Sequence, residues 1–363
     1  MLDLRRIDEL DENRPVDPRE FRKTEEASTL DAAMPGSNVV LRTHKSAVES
    51  FREALYETFL DLVVDPNDGK SILETYEALL AQRSSSATTA CPYKQSHGCD
   101  RSFVIPAGTS SCPCPDAGPI YSTDALRIHE RFHDTGTNGE SFGEVMQVWE
   151  RLLLVHLLRW FERQGLLDRM ARMVFVLDGP LAIFGHPAWL SPILKSELKR
   201  LNEIVRKSTG NDLLIIGIEK TGAFVTHFEE ADCTESGEPR FANGTYSLLT
   251  DTYIKERIIY SVSDKPYGKD TYFGRKMFYK AKSGARIVAT IPVLDDVQEN
   301  TAAADASAFP SLATICATLD KLVSSRFPNS LGPIITAHSH AAIPLTLGTK
   351  VLEQLARALM KSE

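Results

Sequence analysis

An acid at the end of a short apolar run is the residue in this sequence best placed to do chemistry. Asp178 follows residues 173–177, whose apolar and β-branched side chains are typical of a buried strand, and Gly179-Pro180 after it is a turn signal. In α/β proteins, ligands and metals bind at the carboxyl ends of such strands, so Asp178 is a candidate metal ligand. The alternative is an aspartate that only bonds its own turn, which is the commoner case for an isolated Asp-Gly.

A second acid, Glu150, lies in the middle of residues 141–164, where apolar side chains occupy more than one face of the expected helix. An acid among so many apolar residues needs a partner or a cation. The alternative is that Glu150 lies on the one exposed stripe of the helix and pairs with a neighbouring base. The sequence leaves both interpretations open.

Four histidines occur in two pairs that invite a catalytic or metal-binding interpretation. His338 and His340 follow the apolar segment 332–337, which would place them, like Asp178, at the edge of a sheet. His129 and His133 have the i, i+4 spacing of a zinc helix, but the residues around them do not match a zinc protease. We therefore interpret His129 and His133 as solvated histidines on a helix.

A cysteine cluster indicates a structural metal. Of the six cysteines, Cys91, Cys99, Cys112 and Cys114 occur together in a segment rich in Gly, Pro and Ser. Four thiolates bind Zn²⁺ tetrahedrally and would stabilise a loop that has little core of its own, whereas they leave no open position for catalysis. The spacing is not that of a standard zinc ribbon, so His97 could replace one ligand, and free loop thiols are the alternative.

The net charge of the sequence and the absence of several motifs argue against some classes of protein. The net charge of −8 argues against a general nucleic-acid coat protein but is compatible with a nuclease, whose acidic site and basic patches can coexist. Lys220 and Lys276 are candidates for contacts to phosphates, although surface lysines are usually only solvated. The dinucleotide-binding glycine motif, the Walker A lysine and the serine-hydrolase elbow are all absent, which argues against nucleotide-driven motors and serine hydrolases. The sequence has no apolar run of membrane-spanning length and no signal-peptide pattern at its charged start, so we expect a cytoplasmic protein.

The periodicity of apolar residues predicts an α/β fold of 363 residues with a helical part and a Cys-rich insertion. Residues 1–83 would form the N-terminal part of the main domain, with a helical hairpin over 45–83. Residues 84–120 would be the insertion, and residues 121–363 the main core. The other predicted elements are helices over 141–164, 191–207, 312–324 and 349–361, strands ending at 178 and spanning 212–220, and a hairpin of outer strands over 277–281 and 286–292.

Taken together, these residues resemble the NurA family of DNA-repair nucleases over roughly residues 120–350. The matching features are Phe175-Val-Leu-Asp-Gly-Pro-Leu followed by a helix, the preceding long helix with Glu150, the strand Ile215-Ile-Gly-Ile-Glu-Lys220, and Ala337-His338. The Asp-Gly motif is weak alone, and the ordered set is more specific.

The resemblance implies an RNase H-like mixed sheet flanked by helices, a homodimer, and Mn²⁺- or Mg²⁺-dependent cleavage of DNA by an exonuclease or single-strand endonuclease. It also implies work with a hexameric HerA-like ATPase and translocase, in repair or in phage defence. By the same resemblance Asp178 would be a metal-binding carboxylate, Glu150 the helix-borne carboxylate and His338 the C-terminal active-site residue. Tyr279 is a weaker match to a family tyrosine on a late strand.

One departure from the family pattern bears on activity. Family members begin with a strand ending in Asp-Gly-Ser, which supplies the first metal carboxylate. Nothing in this sequence matches that motif, and Leu2-Asp-Leu-Arg-Arg is similar to the end of the family's second strand. We therefore expect either a chain that starts late or a degenerate member, and activity only if a first-strand acid exists outside this chain.

Two other functions remain as alternatives to the nuclease. One is a catalytically degenerate NurA-like subunit that guides DNA or docks on the translocase. The other is a zinc-stabilised interaction module with no role on nucleic acid, which would leave Asp178, Glu150 and His338 far apart.

Overall fold

The N-terminal part of the described chain is a helical hairpin, as its periodicity predicts. The computed structural model describes residues 34, 36–37, 40, 46–112, 118–293, 306–324 and 329–341. Helix α1 spans Ala47–Asp61 and helix α2 spans Ile72–Leu80. The side chain of Ser46 caps α1, and Ser71 forms a capping box at the start of α2. Each cap satisfies backbone N–H groups that the helix leaves without partners, which fixes where the helix begins.

The Cys-containing segment after the hairpin is built from very short elements. It comprises β1 (Thr89–Ala90) paired antiparallel with β2 (Ser102–Phe103), the one-turn helix α3 (Lys94–His97) between them, and β3 (Thr109–Ser111) paired with β4 (Pro119–Tyr121). Strands of two or three residues contribute little burial of their own.

The longest helix, α4, spans Gly139–Arg163 and is followed by the short helix α5 (Leu167–Met170) and strand β5 (Val174–Asp178). α4 packs against α2 on one side and against α6 (Leu190–Thr209) on another. This order agrees with the predicted sequence of a buried helix, a short helix and a strand that ends at Asp178.

A five-stranded mixed sheet forms the centre of the fold. Beyond β5 its strands are β6 (Leu214–Glu219), β7 (Thr245–Leu248), β8 (Gly274–Lys280) and β9 (Arg286–Pro292), in the order β5-β6-β9-β8-β7. β5 and β6 are parallel, with α6 as their crossover, and the other neighbouring strands are antiparallel. The prediction that 277–281 and 286–292 are outer strands is wrong, because β6 and β7 cover both sides of that hairpin. β7 escaped prediction because it is short and half of its residues are exposed.

Helices flank both faces of the sheet. One core cluster joins Phe175 and Leu177 of β5 to α1, α2, α4 and α6. The opposite face packs on α9 (Leu312–Leu322) and α10 (Gly332–Ala341), whereas α7 (Ala223–Ala231) and α8 (Asp251–Arg257) form a smaller cluster with Phe278 and Val288. A mixed α/β architecture is therefore confirmed. No helix in the described part of the chain is long and apolar enough to cross a membrane.

The C-terminal segment differs from its prediction. Residues 332–337 were expected to lead to the edge of a sheet, but they form the start of helix α10. Pro333 explains the difference, because a proline in the first helical turn fits the fixed φ angle of the helix and loses no hydrogen bond there. The helix predicted over 349–361 lies outside the described residues.

A buried ion pair attaches the hairpin to the rest of the fold. Arg52 on α1 donates from Nε and Nη2 to the two carboxylate oxygens of Asp124 at 2.8 and 2.7 Å, and both side chains are almost fully buried. The charge of Arg52 holds the pKa of Asp124 below its usual value, against the opposing effect of burial. The packing of α1 against the 3-10 turn Ser122–Leu126, which contains Asp124, therefore depends on one buried ion pair.

The histidines at 129 and 133 do not share a helix. His129 is buried in a short 3-10 turn, Ile128–Arg131, beside the Asp124 carboxylate, and that turn ends before His133. The prediction of solvated helix histidines is therefore wrong for His129. The expected helix does not form because Arg127 has a positive φ of 60°, which separates the 3-10 turns Ser122–Leu126 and Ile128–Arg131.

Two buried histidines should make the protein sensitive to mild acid. Burial lowers the pKa of His129 and of His156 to about 4 from the usual 6.5, and His156 Nδ1 lies 2.7 Å from Thr75 Oγ1 between α4 and α2. Between about pH 6.5 and pH 4, these histidines are protonated in the unfolded chain but stay neutral in the folded chain. The free energy of unfolding therefore falls as the pH is lowered through this range. Each histidine contributes a slope of at most about 1.4 kcal/mol per pH unit.

Urea unfolding followed by circular dichroism at pH 7.5, 6.0 and 5.0 would measure this slope. His156→Gln should retain a polar contact to Thr75 and reduce the slope by about one proton. The same pH dependence in the wild type and in His156→Gln would contradict the assignment.

Removing one partner of the buried pair should be costly. Arg52→Met would leave the Asp124 carboxylate buried without its cation, which costs about 3–5 kcal/mol in the free energy of unfolding. Lys70→Met is the matched control, because Lys70 pairs with Glu74 at a half-exposed site where an ion pair contributes about 1 kcal/mol or less. Equal losses for the two variants in urea titrations would argue against a structural role for the Arg52–Asp124 pair.

Candidate active site and thiol cluster

Asp178 lies at the carboxyl end of β5, and the turn after it is folded tightly over β6. Gly179 has a φ of +88° and donates its N–H to the carbonyl of Ile218 at 2.7 Å. A Cβ atom at Gly217 would lie only 2.6 Å from the Gly179 carbonyl oxygen. Glycine at both positions thus permits the close approach that holds Asp178 at the edge of the sheet.

The Asp178 carboxylate has a cationic neighbour from the next strand. Lys220, which directly follows β6, places Nζ 3.0 Å from Asp178 Oδ2. The Lys220 side chain is 29% exposed and the Asp178 side chain 38%, so the pair is open to solvent. Because β5 and β6 are parallel, their carboxyl ends meet at the same edge and bring these two groups together.

Glu150 is not among the buried polar residues of α4, whereas the adjacent Arg151 is. The Arg151 side chain is 5% exposed and Glu150 is 45% exposed, and the two form an ion pair. Of the two interpretations of Glu150, the structure supports the second, in which Glu150 lies on the exposed side of α4 and pairs with a neighbouring base. Arg151 could have been recognised from its spacing, since it falls on the helical stripe of Val148 and Val155.

Arg151 links the two candidate acids. Its Nη2 donates to the carbonyl of Pro180 at 2.9 Å, which ties α4 to the turn after Asp178. Burial lowers the pKa of Arg151 from its usual value, while the negative charges of Glu150 and Asp178 both act in the opposite direction. The structure thus brings Asp178 and Glu150 into the field of one guanidinium group.

His338 lies on α10, and its side chain is outside the part of the structure that is described. α10 packs against β5, and Ile334 shares a core cluster with Val174 and Val176. Side chains alternate along a strand, so Asp178 belongs to the same side of β5 as these valines. His338 follows Ile334 by one helical turn, and its role at Asp178 stays a prediction.

Tyr279 and Lys276 lie elsewhere, on the interior strand β8. Three strand spacings, about 14 Å, separate β8 from β5. Tyr279 is buried, and its pKa is raised by burial and by its bond to Asp320 on α9. Lys276 is buried, pairs with Glu219 and lies 3.9 Å from the centre of the Phe224 ring.

These placements correct the expected roles of both residues. The prediction of Lys276 as a surface contact for phosphates fails because its strand is inside the sheet and its charge is already paired. Tyr279 likewise points into the core beside α9 and does not accompany Asp178.

The cysteines form a compact buried cluster. Sγ of Cys112 lies 3.6 Å from Sγ of Cys91 and 3.8 Å from Sγ of Cys99, and all three thiols lie within 4.8 Å of one another. A zinc–sulfur bond of about 2.3 Å in a tetrahedral site gives sulfur–sulfur distances of about 3.8 Å. Within the described residues, this is the one group of three or more potential ligands at such spacing.

The rest of the predicted ligand set is less well defined. Cys114 lies outside the described residues. The ring of His97 packs against that of Tyr93 at 5.5 Å, and His97 is not one of the grouped ligands. Burial raises the pKa of the Cys91 thiol to about 12, so a bound cation is what would favour its thiolate form.

Comparison with known proteins places the chain in a family. A family model described as the NurA domain matches residues 115–343, which is more than half of the chain. The matched segment contains Asp178, Glu150 and the whole five-stranded sheet, whereas the hairpin and the described cysteines of the cluster precede it. Neither a search of curated proteins nor a search of solved structures found a match. The chain thus belongs to the NurA domain family, whose members are generally nucleases.

Proposed function

We propose that this protein is a metal-dependent deoxyribonuclease that processes DNA ends. The observation that carries the proposal is the arrangement at the carboxyl edge of β5, where Arg151 pairs with Glu150 and bonds the turn that follows Asp178. In a nuclease family, a carboxylate at a strand end and a second one on a nearby helix are ligands that metal-assisted phosphodiester hydrolysis would use.

The donor set suits a hard divalent cation. Asp178 and Glu150 offer carboxylate oxygens on adjacent elements, and both face a cationic side chain, so the local field already accommodates positive charge. Oxygen ligands with one imidazole are typical of Mn²⁺ or Mg²⁺, and His338 is the predicted imidazole. When bound, such a metal supplies an activated water and stabilises charge on the leaving oxygen.

The side chains of this site have roles of their own. Arg151 fixes the turn after Asp178 through the Pro180 carbonyl and so orients that carboxylate. Lys220 places a second positive charge at the solvent-open edge, where it would stabilise the charge that develops on a phosphate during cleavage. Lys220 therefore stays a proposed DNA contact.

Family membership also supports the wider setting. We infer an RNase H-like core, supported by a parallel strand pair joined to an antiparallel three-stranded meander. We further infer a homodimer that works with a hexameric HerA-like translocase on DNA, in repair or phage defence, because the family resemblance implies these partners.

A catalytically degenerate subunit is the second candidate function. A specific observation favours it: in the described part of the chain, no group of three oxygen or imidazole ligands is assembled around Asp178. Asp124 follows β4, the first strand of the matched segment, but Arg52 holds both of its carboxylate oxygens. The interaction module would leave Asp178, Glu150 and His338 far apart. For the two acids, the contacts of Arg151 with Glu150 and with the turn after Asp178 argue against it.

We also propose that the thiol cluster binds a structural zinc ion through Cys91, Cys99 and Cys112, with Cys114 as the fourth ligand expected from the sequence. The support is the match between the measured sulfur–sulfur distances and a tetrahedral zinc site. The cluster belongs to the same core as the hairpin, so the ion would stabilise that part of the fold.

Neutralising Asp178 should abolish cleavage. Asp178→Asn keeps the shape of the side chain and removes its charge, and several kcal/mol of transition-state stabilisation correspond to a loss of about 100-fold or more. Activity would be measured on linear duplex and single-stranded DNA with Mn²⁺, Mg²⁺ or EDTA, with and without the translocase. Asp168→Asn, at an exposed acid on α5, is the matched control.

Metal-dependent cleavage that Asp178→Asn loses and Asp168→Asn retains would establish the nuclease. Folded wild-type protein that cleaves nothing with any metal, yet binds the translocase, would instead establish the degenerate subunit.

The thiol cluster should contain about one zinc ion per chain. Elemental analysis of the purified protein should detect it, and Cys112→Ser should release it and lower the melting temperature. Cys316→Ser is the control, because Cys316 lies on α9, outside the cluster. A protein that is free of zinc and equally stable before and after treatment with a chelator would contradict the proposal.

A further inference from the structure

Phe184 is an exposed aromatic residue that the structure holds in place. Its side chain is 42% exposed, and both of its backbone groups bond to one side chain: its N–H donates to Gln147 Oε1 at 3.0 Å, and its carbonyl accepts from Gln147 Nε2 at 2.9 Å. Single exposed apolar residues are common and need no explanation. An exposed ring whose backbone is clamped in this way is different, because its position is fixed before any ligand arrives.

The surrounding loop adds to this fixation. Residues 181–183 pair with 271–273 through two backbone hydrogen bonds, Ile183 N–H to the Thr271 carbonyl at 2.9 Å and Phe273 N–H to the Leu181 carbonyl at 3.0 Å. The Phe184 ring meets Tyr272 edge-on, with 5.6 Å between ring centres. The phenyl ring is thus packed against Tyr272 and still 42% exposed.

Gly185 makes the bend that presents the ring. It adopts a φ of +75° and a ψ of −149°, a conformation that is essentially restricted to glycine. A Cβ atom there would collide with the Glu144 carboxylate. The chain therefore turns sharply directly after Phe184, which leaves the ring at the apex.

The ring lies next to the candidate active site. Phe184 follows Asp178 in the same loop, and Gln147 precedes Glu150 by three residues on α4, a rise of about 4.5 Å. Met146, which is 60% exposed and lies one turn before Glu150, adds apolar surface beside the carboxylate. Phe184 thus lies on the loop that begins at Asp178 and contacts α4 one helical turn before Glu150.

We propose that Phe184 stacks on an unpaired nucleobase of the DNA strand whose backbone lies at Asp178 and Glu150. The proposal rests on the nuclease function and specifies its substrate as single-stranded DNA or a frayed end. Every base has a π face that stacks on an aromatic side chain, whereas the bases inside a duplex already cover one another. Lys220, which is 29% exposed at the same edge of the sheet, offers the positive charge that a neighbouring phosphate needs.

A binding measurement without catalysis tests the stacking directly. Wild type, Phe184→Ala and Phe184→Trp would be titrated in EDTA with a single-stranded oligonucleotide containing 2-aminopurine, whose fluorescence falls on stacking. Stacking on an aromatic side chain contributes about 1–3 kcal/mol per base, so Phe184→Ala should weaken binding by roughly 10-fold and lose the quenching. Phe184→Trp should retain both. Tyr246→Ala, at a similarly exposed aromatic (44%) on edge strand β7, should behave as the wild type.

Cleavage assays with Mn²⁺ separate the two proposals. Phe184→Ala should raise KM for single-stranded DNA about 10-fold with little change in kcat, and it should have a smaller effect on an abasic strand. Wild type that cleaves DNA, with folded Phe184→Ala binding and cleaving equally well, would overturn the stacking role and leave the nuclease intact. An altered oligomeric state of Phe184→Ala with unchanged DNA binding would also overturn it, in favour of a subunit interface. Wild type that neither binds nor cleaves DNA would overturn both.

Discussion

The arrangement of the candidate site depends on one buried cation. Arg151 lies on the buried side of α4, pairs with Glu150 and donates a hydrogen bond to the carbonyl of Pro180. Burying a guanidinium is unfavourable unless charges and acceptors lie beside it, and the Glu150 carboxylate and the Pro180 carbonyl provide them for its two Nη groups. Arg151 therefore fixes the position of α4 relative to the end of β5 and to the turn after Asp178. The proposed chemistry at this edge would therefore depend on a residue that itself faces inward.

The region before the matched segment contributes to the same core. Phe51 and Tyr76 of the hairpin, and Cys91 of the thiol cluster, belong to the cluster that contains Leu152 and Phe175. A disturbance of the hairpin or of the cysteines would thus reach α4 through direct packing. The buried Arg52–Asp124 pair makes the connection specific, because its two members come from opposite sides of the Cys-containing segment. The hairpin, the thiols and the nuclease core share one interior.

Local patterns predicted the helices and the strand at Asp178, because continuous apolar periodicity decides those elements without distant contacts. The prediction failed where distant partners decide the outcome. Strand neighbours made β8 and β9 interior, and that burial gave Lys276 a carboxylate partner from β6. The choice between Glu150 and Arg151 was available from spacing, since Arg151 falls on the stripe of Val148 and Val155 and Glu150 does not. No sequence signal identified Phe184, whose fixation depends on a side chain that is distant in sequence.

Gly217 has a consequence for how this protein would tolerate variation. It has no side chain and touches no ligand, yet the Asp178 turn crosses β6 directly above it, with backbone atoms where a methyl group would be. Substitution even by alanine would push that turn away from the sheet. In a mutational scan Gly217 would therefore behave like an active-site residue, and among homologues it would stay invariant for a purely steric reason. A mutation that harms the protein at this edge would thus identify either a residue that takes part in the chemistry or one that the path of the backbone requires.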